Sequence, residues 1–460
     1  MGKAPRITRK QKRGLMEKYN MACELIRTIR HYFPDLIPQL KKVTDERDPR
    51  YTKYELALVM CVRILSSIFM LSSMRSSSVE LNDDTMIANI GKLVGCDEIM
   101  ELPHYTTINN CLAMVNPDEL QEIVYKMAYR LIRGKAFLDS RVYGSYWQIL
   151  IDGTQLYSFK AKHCGHCLIR EHKKEGVVVS VDYYHCVLEA KLVIAQNIVI
   201  SICTEFIEND GTETAGLSEE AKKQDCERKA FHRLAAKLKA AFPRLPVCIT
   251  TDSLYACGPV FKTCKENNWR YIIRFKDGSI KTLAIDFHAL KQLEPGQCFK
   301  KTSCATSQEY KFVCGMDYQG FAINAAECVE TVKTSKGDTS CTFVYITDLH
   351  VTVKKCVLLV EAGRRRWRIE NEAFDVQKNH GYNLRHIFSH NYTAMQNHYF
   401  LIQIAHAISQ LMELLCRGLK GLLSISNQKL HELILGAFKK RLLTDDDMGY
   451  AQARFQVRLF

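Results

Sequence analysis

Between residues 146 and 275 the chain follows one pattern in one order. Apolar runs of strand length fall at 146–152, 177–195, 198–208, 246–252 and 269–275. Two amphipathic segments interrupt them, at 223–242 and 257–267. In the first of these, Ala230, Leu234, Leu238 and Phe242 share one helical face. The order is therefore β-β-β-α-β-α-β. Gln196-Asn197 supplies a turn between the second and third runs, so the first three strands can form a meander. The helix that follows is a crossover. Right-handed crossing returns the fourth strand parallel beside the first. Asp152 and Asp252, which close those two runs, then end neighbouring parallel strands at one edge. Open α/β sheets keep their sites at that edge. The expected class is α/β: a mixed sheet flanked by helices.

The flanking regions read differently. Residues 1–145 form a basic arm and a helical region, expected to bind DNA, with apolar residues at helical spacing around 17–33, 54–72 and 117–134. His104-Tyr105-Thr106-Thr107-Ile108 can open a short helix of a helix-turn-helix, although plain helix pairs are commoner. Residues 146–275 are read as the first part of the core that holds the sheet. Residues 276–350 break the alternation and read as a β-rich insertion, 351–425 as the closing helices, and 426–460 as a basic tail.

Charge and cysteine usage narrow the class of partner. The 460 residues are 47% apolar, enough to bury a large core, yet carry a net charge of +14. That excess favours polyanions such as nucleic acid, or an anionic surface. Six of the first thirteen residues are basic, which suits an arm on phosphates and equally a solvated tail. The longest apolar helix candidate, 399–415, contains Gln403, His406, Ser409, Gln410 and Glu413. It is expected to be a core helix and not a membrane span. Nineteen scattered cysteines, with no secretory signal, suggest free thiols in a reducing cytoplasm.

A third acid joins Asp152 and Asp252 from far downstream. Glu370 is spaced to share a helical face with Trp367, Ala373, Phe374 and Gln377, whereas Glu372 neighbours Arg368, Asp375, Val376 and Asn379, a more solvated face. A carboxylate on an apolar face is costly unless a cation satisfies it, so Glu370 is the expected ligand. Two acids on strand ends and one on a helix suit a pair of Mg²⁺ (or Mn²⁺) ions roughly 3.5–4 Å apart acting on a phosphodiester. Arg364, Arg365, Arg366 and Arg368 crowd the same helix around Trp367, and Lys378 and Arg385 follow. Such a run is usually a solvated face. Beside an acid site it suits phosphate contact and base stacking.

These motifs resemble a known family. Ile151-Asp152-Gly153-Thr154, Thr251-Asp252-Ser253-Leu254-Tyr255-Ala256, the run from Arg366 to Phe374 and Gly381-Tyr382-Asn383-Leu384-Arg385-His386 look like a bacterial insertion-sequence DDE transposase with a ribonuclease-H-like catalytic core. The resemblance covers about 146–415, and more loosely the helices from about residue 50 onward. It implies nicking of double-stranded DNA at transposon ends and joining of the freed 3′-hydroxyl to target DNA. It also implies Asp152, Asp252 and Glu370 as metal ligands, Arg366 on a phosphate, a homodimer in the synaptic complex, and a prokaryotic, nucleoid-associated setting in the cytoplasm. The family signature places a Tyr seven before the Glu, an Arg four before and a Lys seven after; here those positions hold Gly363, Arg366 and Gln377, with Lys378 one residue late. A metal-dependent nuclease on the same core, and an inert DNA-binding relic, are the alternatives.

One further cluster stands out. His163-Cys164-Gly165-His166-Cys167 holds the chain's sole C-x-x-C, and His172 and His185 follow. A structural Zn²⁺ on Cys164, Cys167, His172 and His185 is one reading; reduced thiols on a polar loop is the other.

Overall fold

The computed structural model describes the chain except residues 1–7, 12–13, 15–18, 97, 163, 196, 210–224, 294–296, 304–305, 335–336 and 454–460. Most of the basic arm therefore lies outside the described residues.

The core is one sheet of ten strands, ordered β2-β3-β1-β5-β6-β10-β9-β8-β7, with β4 also paired to β3. β1 (Trp147–Phe159), β3 (Val177–Ala195) and β4 (Ile198–Ile207) form the expected antiparallel meander. β5 (Val247–Thr251) lies parallel to β1, and β6 (Arg270–Arg274) parallel to β5. The crossover helix α8 (Glu227–Ala241) and α9 (Gly258–Glu266) make the two connections. This mixed sheet flanked by helices fits a ribonuclease-H-like core.

Strand periodicity assigns the two faces. In β1, Ile149 and Ile151 enter the main hydrophobic core, while Leu150 packs on the opposite face with Ile369, Ala373 and Phe374. Gln148 shares Leu150's face and donates to the carbonyl of Ala362, 2.6 Å away. That second face is covered by α11 (Val353–Arg364), a π-helical segment (Ile369–Asp375) and the short α12 (Val376–Asn379).

From residue 21 to the sheet the described residues form seven α-helices; the clearest are α1 (Met21–Tyr32), α3 (Leu56–Ile68), α6 (Tyr105–Leu112) and α7 (Pro117–Arg133), with α2 (Leu36–Leu40), α4 (Met74–Glu80) and α5 (Asp84–Val94) between them. They are not a separate body. The long α13 (Tyr392–Leu415) packs on α1, α3, α6, α7 and β4, so one apolar core runs from the bundle to the sheet. Among the described residues no single helix is long and apolar enough to cross a membrane.

Several expectations change. β1 does not stop at Asp152 but continues to Phe159, because β3 pairs with it along that extra length. The long connection after it contains β2 (Leu168–Lys174), which pairs with the start of β3. The insertion holds a helix, α10 (Lys281–Leu293), as well as β7 (Cys298–Thr302), β8 (Thr306–Tyr318), β9 (Phe321–Thr334) and β10 (Gly337–Thr347). Its β10 pairs antiparallel with β6, so the insertion extends the core sheet. Of the stretch 426–460, read as a basic tail, the described part is folded: after α14 (Arg417–Leu423), α15 (Asn427–Lys440) buries Leu430, Ile434 and Phe438, and α16 (Asp445–Gln452) packs on α1.

Candidate active site

The parallel register of β1 and β5 pairs Leu150 with Thr250. Asp152 and Asp252 each stand two residues further on, at equivalent positions of neighbouring strands. Both share the parity of Gln148 and Thr250, whose side chains meet at 2.9 Å on the face beneath α11. The Asp252 carboxylate caps its own turn, accepting from the Leu254 N–H at 2.9 Å. Asp152 accepts from the Gly153 N–H at 3.1 Å.

Arg366 joins the third acid to the first. Its guanidinium donates to Glu370 at 2.7 Å and to Asp152 at 3.4 Å. Glu370 does not lie on the apolar face, contrary to expectation. Ile369, Ala373 and Phe374 form the buried side, Trp367 is 55% exposed, and the Glu370 side chain is 47% exposed. What satisfies it is Arg366 and solvent. Glu372 stands near Arg368 instead.

A fourth carboxylate, which sequence reasoning missed, completes the group. Glu227 is the first residue of α8 and accepts from the Tyr255 hydroxyl at 3.2 Å. It reaches over Gly153, where an added Cβ would stand 2.4 Å from its carboxylate oxygen. Gly153→Ala is accordingly expected to displace Glu227 and lose the Tyr255 contact, at a cost of about 1 kcal/mol. A urea melt checks this; an unchanged curve would mean Glu227 moves aside freely.

Crowded acids raise one another's proton affinity. Burial pushes the Asp152 carboxyl up to about 7; Arg366 opposes this, while Glu370, Asp252 and Glu227 add to it. Burial, then Asp252, raises Glu227 in the same direction. Four carboxylates in one another's field, two of them bonded to one guanidinium, are a hard, all-oxygen donor set with excess negative charge. That set fits a hard divalent cation such as Mg²⁺ or Mn²⁺. Asp152, Asp252 and Glu370 supply acids from three rigid elements, and Glu227 is a fourth donor within the same field.

The π-helical segment explains one departure from the family signature, the Lys that comes one residue late. A π turn accommodates one extra residue, so Lys378, one position late, still faces the site. Its ammonium donates to the Thr154 hydroxyl at 2.6 Å, on the same face of β1 as Asp152. Gln377 instead points inward, fully buried, and its amide donates to Gln403 and to His406, each at 2.9 Å. At Gly363 a Cβ would meet the Tyr345 ring at 2.5 Å. A ring from β10 thus occupies the space a side chain at 363 would need.

The basic run divides. Arg364 forms a two-pronged ion pair with Glu330, at 2.7 and 3.0 Å, over the Phe343 ring. Arg365 donates to the Ser140 carbonyl and to Gln148, each at 3.3 Å. Arg368 donates to Asn197 at 2.5 Å. These three are engaged by the protein itself and do not form the free basic face the sequence suggested. Arg366 faces the acids, while Trp367 and Arg385 are exposed. Of the four expected zinc ligands, Cys164, Cys167 and His185 come together. His172 does not: it lies exposed on β2, 2.9 Å from Asp182.

Residues 220–408 match the family model described as a transposase DDE domain. The matched stretch contains Glu227, Asp252, Glu370 and Lys378; Asp152 lies before it. No curated protein matches the chain.

Proposed function

We propose that this chain, a member of the DDE transposase family, nicks DNA at transposon ends and joins the freed 3′-hydroxyl to target DNA. The family acts on DNA and uses divalent metal ions; that the metal is Mg²⁺ or Mn²⁺, two per site, is our reading. The observation carrying it is that Asp152 and Asp252 close neighbouring parallel strands in matching register, while Arg366 bridges Asp152 to Glu370.

Asp152, Asp252 and Glu370 would hold the ions, with Glu227 as a further acid beside them. Bound there, the metal supplies charge neutralisation at the reacting phosphate and activation of the attacking oxygen. The chain's own groups do the positioning. Asp152 and Asp252 sit on paired strands, so their spacing is fixed by the sheet. Arg366 has more N–H donors than its two carboxylate partners use, and the remainder can orient a phosphate oxygen. Lys378 adds positive charge on the Thr154 side. Trp367, exposed beside the acids, offers a face on which a base can stack. Two copies would bring two ends together.

Trp367→Ala is expected to weaken binding to DNA ends by ~1–3 kcal/mol, a factor of roughly 5 to 150. Arg364→Ala should instead lower stability, leaving affinity near wild type. Fluorescence anisotropy alongside thermal melts separates the two, and equal loss of affinity in both variants would contradict the division. The function itself is tested by supplying a pre-nicked end and a supercoiled plasmid with Mg²⁺. Covalently joined product is the expected result. Nicking without joining would favour a nuclease on the same core, and neither activity would favour a relic.

A further inference from the structure

Far along β1 from the carboxylates, three metal-type donors meet. The Cys164 and Cys167 sulfurs lie 3.6 Å apart, and each is 3.5 Å from His185 Nε2. A tetrahedral zinc with ordinary Zn–S and Zn–N bonds sets its donors roughly 3.5–3.8 Å apart. A disulfide would need about 2.05 Å between the sulfurs. Among the described residues this is the sole trio of His, Cys, Asp or Glu whose donor atoms all lie within 4.8 Å of one another.

The surroundings are built for it. Cys167 and His185 are buried, at 1% and 5% exposure. His185 sits where β1 bulges, between the pairs Gln155–Cys186 and Ser158–Tyr184, and such bulges re-aim side chains. The rings of Tyr157, Phe159 and Tyr392 surround its imidazole at 5.3–6.4 Å. The Asn209 amide donates to the Cys167 carbonyl at 2.8 Å and ties the turn to the end of β4.

The location also supplies a reason. Residues 169–180, the paired parts of β2 and β3, are exposed throughout and carry Arg170, Lys173 and Lys174. A two-stranded ribbon in water is marginal without support at its base. We propose that Cys164, Cys167 and His185 bind Zn²⁺ and that the ion clamps the base of this ribbon to β3. Three protein donors are thereby assigned. The site is separate from the carboxylates and independent of the proposed chemistry there.

Metal analysis of the full-length purified protein tests this. About one zinc per chain is expected, falling to background in Cys164→Ser, Cys167→Ser and His185→Ala. His172→Ala and Asp152→Asn should keep it. Should the ligand variants fail to fold, wild-type protein stripped with chelator serves instead. Adding Co²⁺ should then give thiolate-to-cobalt charge transfer with tetrahedral d–d bands, and adding Zn²⁺ should slow proteolysis within 169–180. Folded wild-type protein that takes up no stoichiometric zinc would overturn the proposal. So would full zinc content in the three ligand variants, or a Cys164–Cys167 disulfide in the protein purified under reducing conditions.

Discussion

Asp152→Asn is expected to raise the melting temperature in EDTA while abolishing Mg²⁺ or Mn²⁺ binding at the carboxylates and DNA cleavage. The sign follows from the carboxyl's environment. Burial, reinforced by Glu370, Asp252 and Glu227, raises its pKa to about 7 against an ordinary 3.8. A raised acid keeps in the folded state a proton that the unfolded chain has released. Stability therefore falls as pH rises from the ordinary value through about 7, and the deficit is complete above it. At about 1.4 kcal/mol per unit, and with the side chain 17% exposed, the deficit is on the order of 3 kcal/mol. Asparagine removes it. Metal-free melts at pH 5 and pH 8 should thus separate the two proteins mainly at pH 8. Mn²⁺ should stabilise wild type, more strongly with rising pH up to about 7 and level thereafter, because the ion competes with that proton. It should leave the variant unmoved. A variant that melts lower than wild type in EDTA at pH 8 would make Asp152 a structural carboxylate.

The second large effect lies beneath the helical segment that carries Glu370. Glu189 and Lys191 on β3 are fully buried, 3.3 Å apart. Glu189 also accepts from Thr204 and Tyr399, each at 2.7 Å, and from Ser201. Lys191 donates to Gln403, which the Gln377 amide also contacts. This network joins the meander, α13 and the helix carrying Glu370. Lys191→Met would leave Glu189 buried without its cation, and such a loss costs about 3–5 kcal/mol. The chain is expected to express poorly or melt far below wild type. Combining it with Glu189→Gln should recover much of the loss. A single variant that melts like wild type would show that the pair contributes little.

The core topology was legible because β-branched runs, a crossover helix and two acid-terminated strands came in one order. Strand parity then carried Asp152 and Asp252 to the same face. Other parts left weaker traces. β2 buries little beyond Leu168, so it shows no alternation. The pairing of β10 with β6 is non-local and has no local signal. In α15 the lysines of the last turn disguise the apolar side formed by Leu430, Ile434 and Phe438. Glu227 reads in sequence as an ordinary acid in a first helical turn, favoured there by the helix dipole; only the crossover geometry brings it over Gly153. The face argument for Glu370 failed because the helix there is π, which shifts each residue's direction relative to an α-helix. The spacing from Arg366 to Glu370 survived, since the two side chains meet directly. The zinc reading included His172 because proximity in sequence was the only guide, whereas β2 carries it away from the cluster.

We propose that Asp152, Asp252 and Glu370 together hold the metal needed to cut DNA. Single-turnover nicking of a duplex carrying the transposon end, with Mg²⁺, tests it most directly. Asp152→Asn, Asp252→Asn and Glu370→Gln should each fall to background while still binding the duplex, and Glu372→Gln should nick like wild type. Wild-type nicking by any one of the first three, or its loss in Glu372→Gln alone, would overturn the assignment of these three ligands.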